Sequence, residues 1–474
     1  MSFLRRLKSR ILGLETRRFT LCPADLAARR GDQVLLVWGR VPHWIVVDTE
    51  AHELLTGLER GSTLGEIFAR QPGLRQQEAK VLDLVERLMR PGILVFADTP
   101  SSPRPDPDPQ EPPRIENVAL NLTEACSLRC SFCYHQPRLA LPERSPLTGP
   151  EIGQFLGSIR PLCSAKPTLV ILGGEPFLEP QKLMDVAAHS TRHGFLPLVS
   201  TNGQHVTPEL ARAARDRALE VQVSIDGPTT TEHDRHRGPG TFDRAIAAVR
   251  TLVDQGAHTL VSMVCHRENQ HLLPEFYALA DRLGVAEARF IPLKVVGGAR
   301  NRGPGPPSLV GLVRAAGELF SNQSRFRRLS GRDFFSIVFH TARFSWQRAS
   351  CGAGSQTVLL SSDGALYPCI ANVTPELRFG EIRSDRFDFR RAWERSAPLS
   401  AFRKAITLDN LSGGCADCFV RFWCLGGCRG EARETSGRLD APSPHCEDWR
   451  NAIVECFWII SRQPDLMSRK SVSC

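Results

Sequence analysis

Three cysteines within one short stretch constrain this chain more than any other feature. Cys126, Cys130 and Cys133 stand at C-x3-C-x2-C spacing, directly after the apolar run Val118-Ala119-Leu120-Asn121-Leu122. Iron–sulfur clusters are held by cysteine thiolates, usually four for a 4Fe–4S cube. Three thiolates in one loop with no fourth nearby can hold a cube and leave one iron open. An open metal position separates a reactive site from a structural one. The bland alternatives are an accidental cluster or a zinc loop short of its last ligand. Zinc fingers favour paired C-x2–4-C half-sites, and the later residues suit iron better.

The chain has 474 residues, a length that suits about three domains with ample material for a core. Its 15 cysteines cluster: three at 126–133, two at 351 and 369, and five between 415 and 446. The start, Met1 to Phe19, lacks the apolar stretch of a secretory signal, so these thiols read as metal ligands in the cytoplasm rather than disulfides. Cys22, Cys163, Cys265, Cys456 and Cys474 fit no spacing, and buried apolar thiols are the default for those in the interior. No apolar run approaches the ~18 residues of a membrane span. The net charge of +9 permits an acidic partner without demanding nucleic acid. Residues 1–18 form a basic amphipathic segment, with Phe3, Leu4, Leu7, Ile11 and Leu14 near helical spacing.

The Cys126–Tyr134 loop resembles that of the radical S-adenosylmethionine (SAM) enzymes, whose signature is this spacing with an aromatic before the third cysteine. Phe132 supplies the aromatic. The resemblance implies that the open iron binds the amine and carboxylate of SAM, and that an electron from the cube releases a 5′-deoxyadenosyl radical.

Residues 115–320 alternate apolar runs with helical stretches. Strands are expected at 118–123, 168–173, 196–201, 220–225, 259–265 and 288–295, and helices at 150–161, 181–193, 208–217, 242–255 and 273–283. Alternating βα units argue for a parallel sheet. The radical SAM resemblance implies an α/β fold, a partial (β/α)6 TIM-like barrel with its site at the strands' C-terminal ends. Gly173-Gly174-Glu175-Pro176 ends the second strand. Glycine lets backbone approach a ligand closely, and the family uses this motif to grip the SAM amino group. Ser200 and Asn202 close the third strand, Ser224 and Asp226 the fourth. Both pairs look like family positions lining the SAM ribose and carboxylate, though each also fits ordinary turn chemistry. Arg237, before Gly238, is a further expected contact.

Toward the C-terminus the order is Cys351, then Gly364-x4-Cys369, Cys415-x2-Cys418-x5-Cys424-x3-Cys428 and Cys446. This matches the SPASM extension of radical SAM enzymes; a zinc ribbon is the alternative. The resemblance implies two auxiliary 4Fe–4S clusters. Cys415, Cys418, Cys424 and Cys446 would hold one, and Cys351, Cys369 and Cys428 the other. Where some relatives have a further cysteine, six residues after the first, this chain has Thr357, so the fourth ligand of that cluster is open. Sulfatase-maturing relatives carry an acidic base after the second cysteine; Ile370 stands there, which disfavours formylglycine formation.

Residues 19–98 read as a winged-helix-like α+β domain. Strands are expected at Phe19–Cys22, Val34–Trp38 and His43–Val47. Helices follow: Glu50–Leu55 capped by Thr49 and stopped by Gly57, Leu64–Ala69 capped by Ser62/Thr63, and Gln76–Met89. The order resembles the pyrroloquinoline-quinone chaperone family of peptide-recognition domains, through Trp44-Ile45-Val46-Val47-Asp48, Glu53-Leu54-Leu55 and Gly61-Ser62-Thr63-Leu64. It implies that a leader peptide adds to Trp44–Val47 as a strand and packs on the helix at 79–88. A DNA-binding winged helix or a domain that merely packs on the barrel are the rivals. Proline-rich residues 99–114 form a linker. Residues 321–340 bridge the barrel to a SPASM domain at 341–460, and 461–474 form a tail.

The reading is a cytoplasmic peptide maturase that reductively cleaves SAM and makes an oxidative cross-link in a ribosomal precursor peptide. Its partners would be that peptide with its leader segment and an electron donor such as a flavodoxin or ferredoxin. Two alternatives stand: oxidative maturation of a small cofactor or haem precursor by the same chemistry, and a non-enzymatic metal-holding peptide scaffold.

Overall fold

The computed structural model describes residues 13–98, 114–135, 145–330 and 351–467. Most of the expected N-terminal segment, nearly all of the expected linker, half of the bridging segment and the last residues of the tail lie outside them.

Five short strands open the chain: β1 (Phe19–Leu21), β2 (Leu26–Arg30), β3 (Gln33–Trp38), β4 (His43–Asp48) and β5 (Leu94–Phe96). β2, β3 and β4 form an antiparallel sheet in that order. Successive side chains on a strand point to opposite faces. On β3, Val34, Leu36 and Trp38 enter the core of the N-terminal helices, while Leu35 and Val37 pack with Trp423, Phe457 and Trp458. Burial on both faces explains why this stretch reads as an unbroken apolar run.

Several local expectations need correction. β1 joins no winged sheet; it pairs antiparallel with β5. β2 has no expected counterpart, because Arg29 and Arg30 hide its pattern. The first helix spans Thr49–Glu59, is capped by Asp48 accepting from the Ala51 N–H, and runs through Gly57. It stops at Arg60-Gly61, where Gly61 has φ +83°. The helix expected over 76–89 is broken at Gln77 into Pro72–Gln76 and Glu78–Met89. Thr63 does cap Leu64–Arg70, in a reciprocal box with Glu66.

The barrel strands are β6 (Ile115–Asn121), β7 (Cys163–Leu172), β8 (Leu196–Thr201), β9 (Glu220–Ser224), β10 (Thr259–Cys265) and β11 (Glu287–Pro292). All pair parallel with sequential neighbours. Helices 149–159, 180–192, 208–216, 241–254 and 273–283 alternate with them, as the periodicity predicts. A further helix, Thr230–Arg237, follows β9.

The barrel does not close on itself. β12 (Thr357–Leu360) adds parallel to β6, and β13 (Ala365–Tyr367) and β14 (Gly380–Glu381) continue antiparallel, giving one nine-stranded sheet. The cysteine-rich region is therefore stitched to the barrel's first strand. The final helix, Cys446–Arg462, packs on Leu309–Asn322 and on β4. Trp44 stacks on Phe457 with ring centroids 4.8 Å apart. Glu455 accepts from Arg30 at 3.0 and 2.8 Å and from Arg314 at 3.0 Å, tying the N-terminal sheet to both helices.

Candidate active site and cluster sites

The cysteine loop leaves β6 and is fixed from beneath by the Gly173-Gly174-Glu175 turn. Gly174 N–H donates to Thr123 O at 2.8 Å and Glu175 N–H to Ala125 O at 2.7 Å. A Cβ on Gly173 would stand 2.3 Å from Thr123 O, and one on Gly174 1.9 Å from Ala125 O. The paired glycines therefore admit the segment after β6 that leads into Cys126.

Cys126, Cys130 and Cys133 are half-buried and within electrostatic reach of one another. Burial pushes the Cys130 thiol up to about 11, against the opposing pull of Arg237. Such a thiol ionises when a metal replaces its proton. Phe132 is buried against Leu293 and Ala299, beside the paired rings of His236 and His266. From the far side, Gly298 N–H donates to Cys133 O at 3.0 Å.

Glu175 is 1% exposed. It accepts from Thr201 Oγ1 at 2.7 Å, Phe177 N–H at 3.0 Å and Asn202 N–H at 2.7 Å. Burial raises its pKa, opposed by those hydrogen bonds and by Arg237. A carboxylate offers about four acceptor positions, so three bonds orient it and leave capacity for one more donor. Pro176 begins the short turn behind it. The Asn202 amide reaches toward Ser127 Oγ (3.5 Å) and Cys126 Sγ (3.9 Å). Ser200 and Ser224 sit half-buried at the ends of β8 and β9. Asp226 is placed differently: it is fully buried, accepting from Arg237 Nε and from Val264 N–H. It clamps the ends of β9 and β10 and aims Arg237, whose guanidinium carbon lies 5.9 Å from the Phe132 ring centre.

Seven of the other cysteines form two groups. Cys415, Cys418, Cys424 and Cys446 line one cavity with Gly413, Gly414, Arg421 and Arg450. Burial, with Cys418 and Cys446 beside it, raises Cys424 to about 12. Cys351, Cys369 and Cys428 form the other group, within electrostatic reach of one another. Asn372 Nδ2 donates to Cys369 Sγ at 3.2 Å, and burial raises that thiol to about 12. Buried Arg429 lies in electrostatic reach of both groups, at Cys351 and at Cys415. Thr357 begins β12, and Ile370 is 39% exposed beside Cys369. Cys163, Cys265 and Cys456 are buried thiols, as expected of cysteines without metal spacing.

Grouped thiols with Arg or Lys close by fit anionic iron–sulfur clusters: a charge taken out of water needs a partner. Lys294, Arg429 and Arg450 supply such cations and were not singled out from sequence, since single basic residues carry no spacing signal.

Residues 120–280 match the radical SAM superfamily, and residues 351–419 match SPASM, an iron–sulfur cluster-binding domain. The mycofactocin maturase MftC of Mycobacterium tuberculosis is 31% identical over 338 residues, covering 69% of this chain and 82% of that protein. The chain belongs to the radical SAM enzymes with a SPASM domain. Members of this family work with 4Fe–4S clusters and SAM, and so does this enzyme. The AdoMet-dependent heme synthase of Methanosarcina barkeri is 26% identical, covering 70% of this chain and 96% of that one. SAM-bound SuiB of Streptococcus suis shares the fold at a TM-score of 0.57 and 14% identity, over 90% of this chain and 99% of its own. SAM-bound anSMEcpe does so at a TM-score of 0.61 and 18% identity, over 74% and 99%. Among the described residues no helix is long and apolar enough to cross a membrane.

Proposed function

We propose that this enzyme modifies a ribosomally made precursor peptide, installing an oxidative cross-link. When bound, SAM and the Cys126–Cys133 cluster supply a 5′-deoxyadenosyl radical. Glu175, with one acceptor position to spare, would take the SAM ammonium. Asn202, Ser200 and Ser224 would face its polar groups, and Arg237, aimed by Asp226, would hold positive charge beside Cys130.

The observation that carries the peptide reading is the free edge of β4. Among the described strands β4 pairs only with β3, and the helix Glu78–Met89 shares its core through Ile45, Val81 and Val85. An extended leader segment adds to such an edge by main-chain hydrogen bonds while its side chains meet the helix. Tethering the leader raises the local concentration of the core peptide at the barrel. The maturase resemblance at 31% identity points the same way. An electron carrier such as a flavodoxin or ferredoxin would reduce the clusters, in a thiol-preserving cytoplasm.

The test is anaerobic reaction of the reconstituted full chain with SAM, a strong reductant and small precursor peptides encoded beside it. Loss of two hydrogens from a peptide supports the cross-link. An unchanged mass with an inverted centre overturns it. The heme synthase likeness supports a second reading, oxidation of a small haem or cofactor precursor. Failure of the N-terminal domain to bind any precursor peptide favours that one.

A further inference from the structure

The seven residues after β11 join two of the cluster sites. Leu293 packs on Phe132, and Gly298 N–H holds the Cys133 carbonyl. Between them, Val295 N–H donates to Glu431 Oε1 at 3.0 Å, three residues beyond Cys428. Lys294 lies inside this bridge. Its side chain is solvent-accessible, yet its electrostatic neighbours are Cys428, Glu431, Cys351 and Cys369. Arg429 also reaches Cys351, but its guanidinium donates to the Gly426, Leu439 and Ala441 carbonyls and so holds the loop.

We propose that Lys294 is a positioning residue for electron transfer: its ammonium raises the reduction potential of the cluster at Cys351, Cys369 and Cys428, making that cluster the electron acceptor. This deepens the oxidative reading above and rests on it. A cross-link removes two hydrogens from the peptide. One leaves as an atom to the adenosyl radical; the other leaves as a proton and an electron, and the electron needs an acceptor. Reducing a cluster adds one negative charge, which a nearby cation stabilises. Cluster potentials respond to local net charge in this way. Lys294 occupies the bridge between the radical-generating loop and the three-thiol group, the place where such a charge biases transfer toward that group.

The test is a potentiometric titration, followed by electron paramagnetic resonance, of the reconstituted full chain and its Lys294→Met and Lys294→Arg variants. The expected result is one midpoint moved to more negative potential in K294M, the other two unmoved, and K294R close to the parent. Unmoved midpoints in K294M, or an equal shift in K294R, overturn the proposal. Iron content reports on folding; should K294M lose iron, Lys294→Gln gives the same reading. The titration uses no peptide, so failure of the peptide assay and failure of this proposal are separate results.

Discussion

Replacing Gly174 by alanine tests how the glycine turn and the cysteine loop depend on each other. The new methyl would stand 1.9 Å from the Ala125 carbonyl oxygen and 2.4 Å from its carbon, where ordinary contact begins at 3.4 Å. Both are backbone atoms, so no rotamer relieves the overlap. Overpacking of this kind costs about 1–3 kcal/mol. Moving the two segments apart also weakens the Gly174–Thr123 and Glu175–Ala125 hydrogen bonds, at about 1 kcal/mol each. The strain, on the order of 3–5 kcal/mol, falls on the residue next to Cys126. Gly174→Ala should therefore lose the SAM-binding cluster while keeping both auxiliary ones. Iron analysis should show about a third of the metal missing, with no spectral response to SAM and no 5′-deoxyadenosine. Full iron with an undiminished SAM response would refute the reasoning.

Glu455→Gln should loosen the N-terminal sheet. It removes a carboxylate that is 8% exposed and bonded to Arg30 and Arg314, at a cost of about 1–3 kcal/mol. Faster amide exchange over β3 and β4, with the barrel unaffected, is the expected signature. His43 titrates only near 4, because burial and then Arg87 disfavour its charged form. Its stabilising contribution is complete above the ordinary value of 6.5 and declines as pH falls from there toward 4. His43→Gln should therefore reduce the drop in thermal midpoint between pH 7.5 and about 5.5, a slope shared with His233 and His266, which titrate in the same range. Cys424→Ser should lose the four-thiol cluster and lower the unfolding temperature, since metal binding there is also folding energy.

The cysteines were legible because coordination chemistry imposes spacing that the chain must carry in its order. The barrel was legible because two periodicities alternate in step with the βα repeat. Other features left no local trace. β12 pairs with β6 across more than two hundred residues, and parallel pairing at that separation has no sequence signature. Asp226 and Arg237 belong to separate phrases, and only the helix Thr230–Arg237 folds them into one buried ion pair. Gly57 has the identity of a helix stop without its conformation, because packing carried the helix onward to Gly61. At Gly173 and Gly174 the residue type was informative but its immediate use was not: what comes close there is the protein's own cysteine loop.

The docking of β3 on the last helix has a consequence for assembly. Val420 and Trp423, which meet Leu35 and Val37, lie between Cys418 and Cys424 in the sequence. Metal binding couples to folding, so tying down those two thiols should firm the surface that seats β3. Iron incorporation late in the chain should thus steady the docking of its first sheet. A molecule without that cluster would hold its first sheet less firmly.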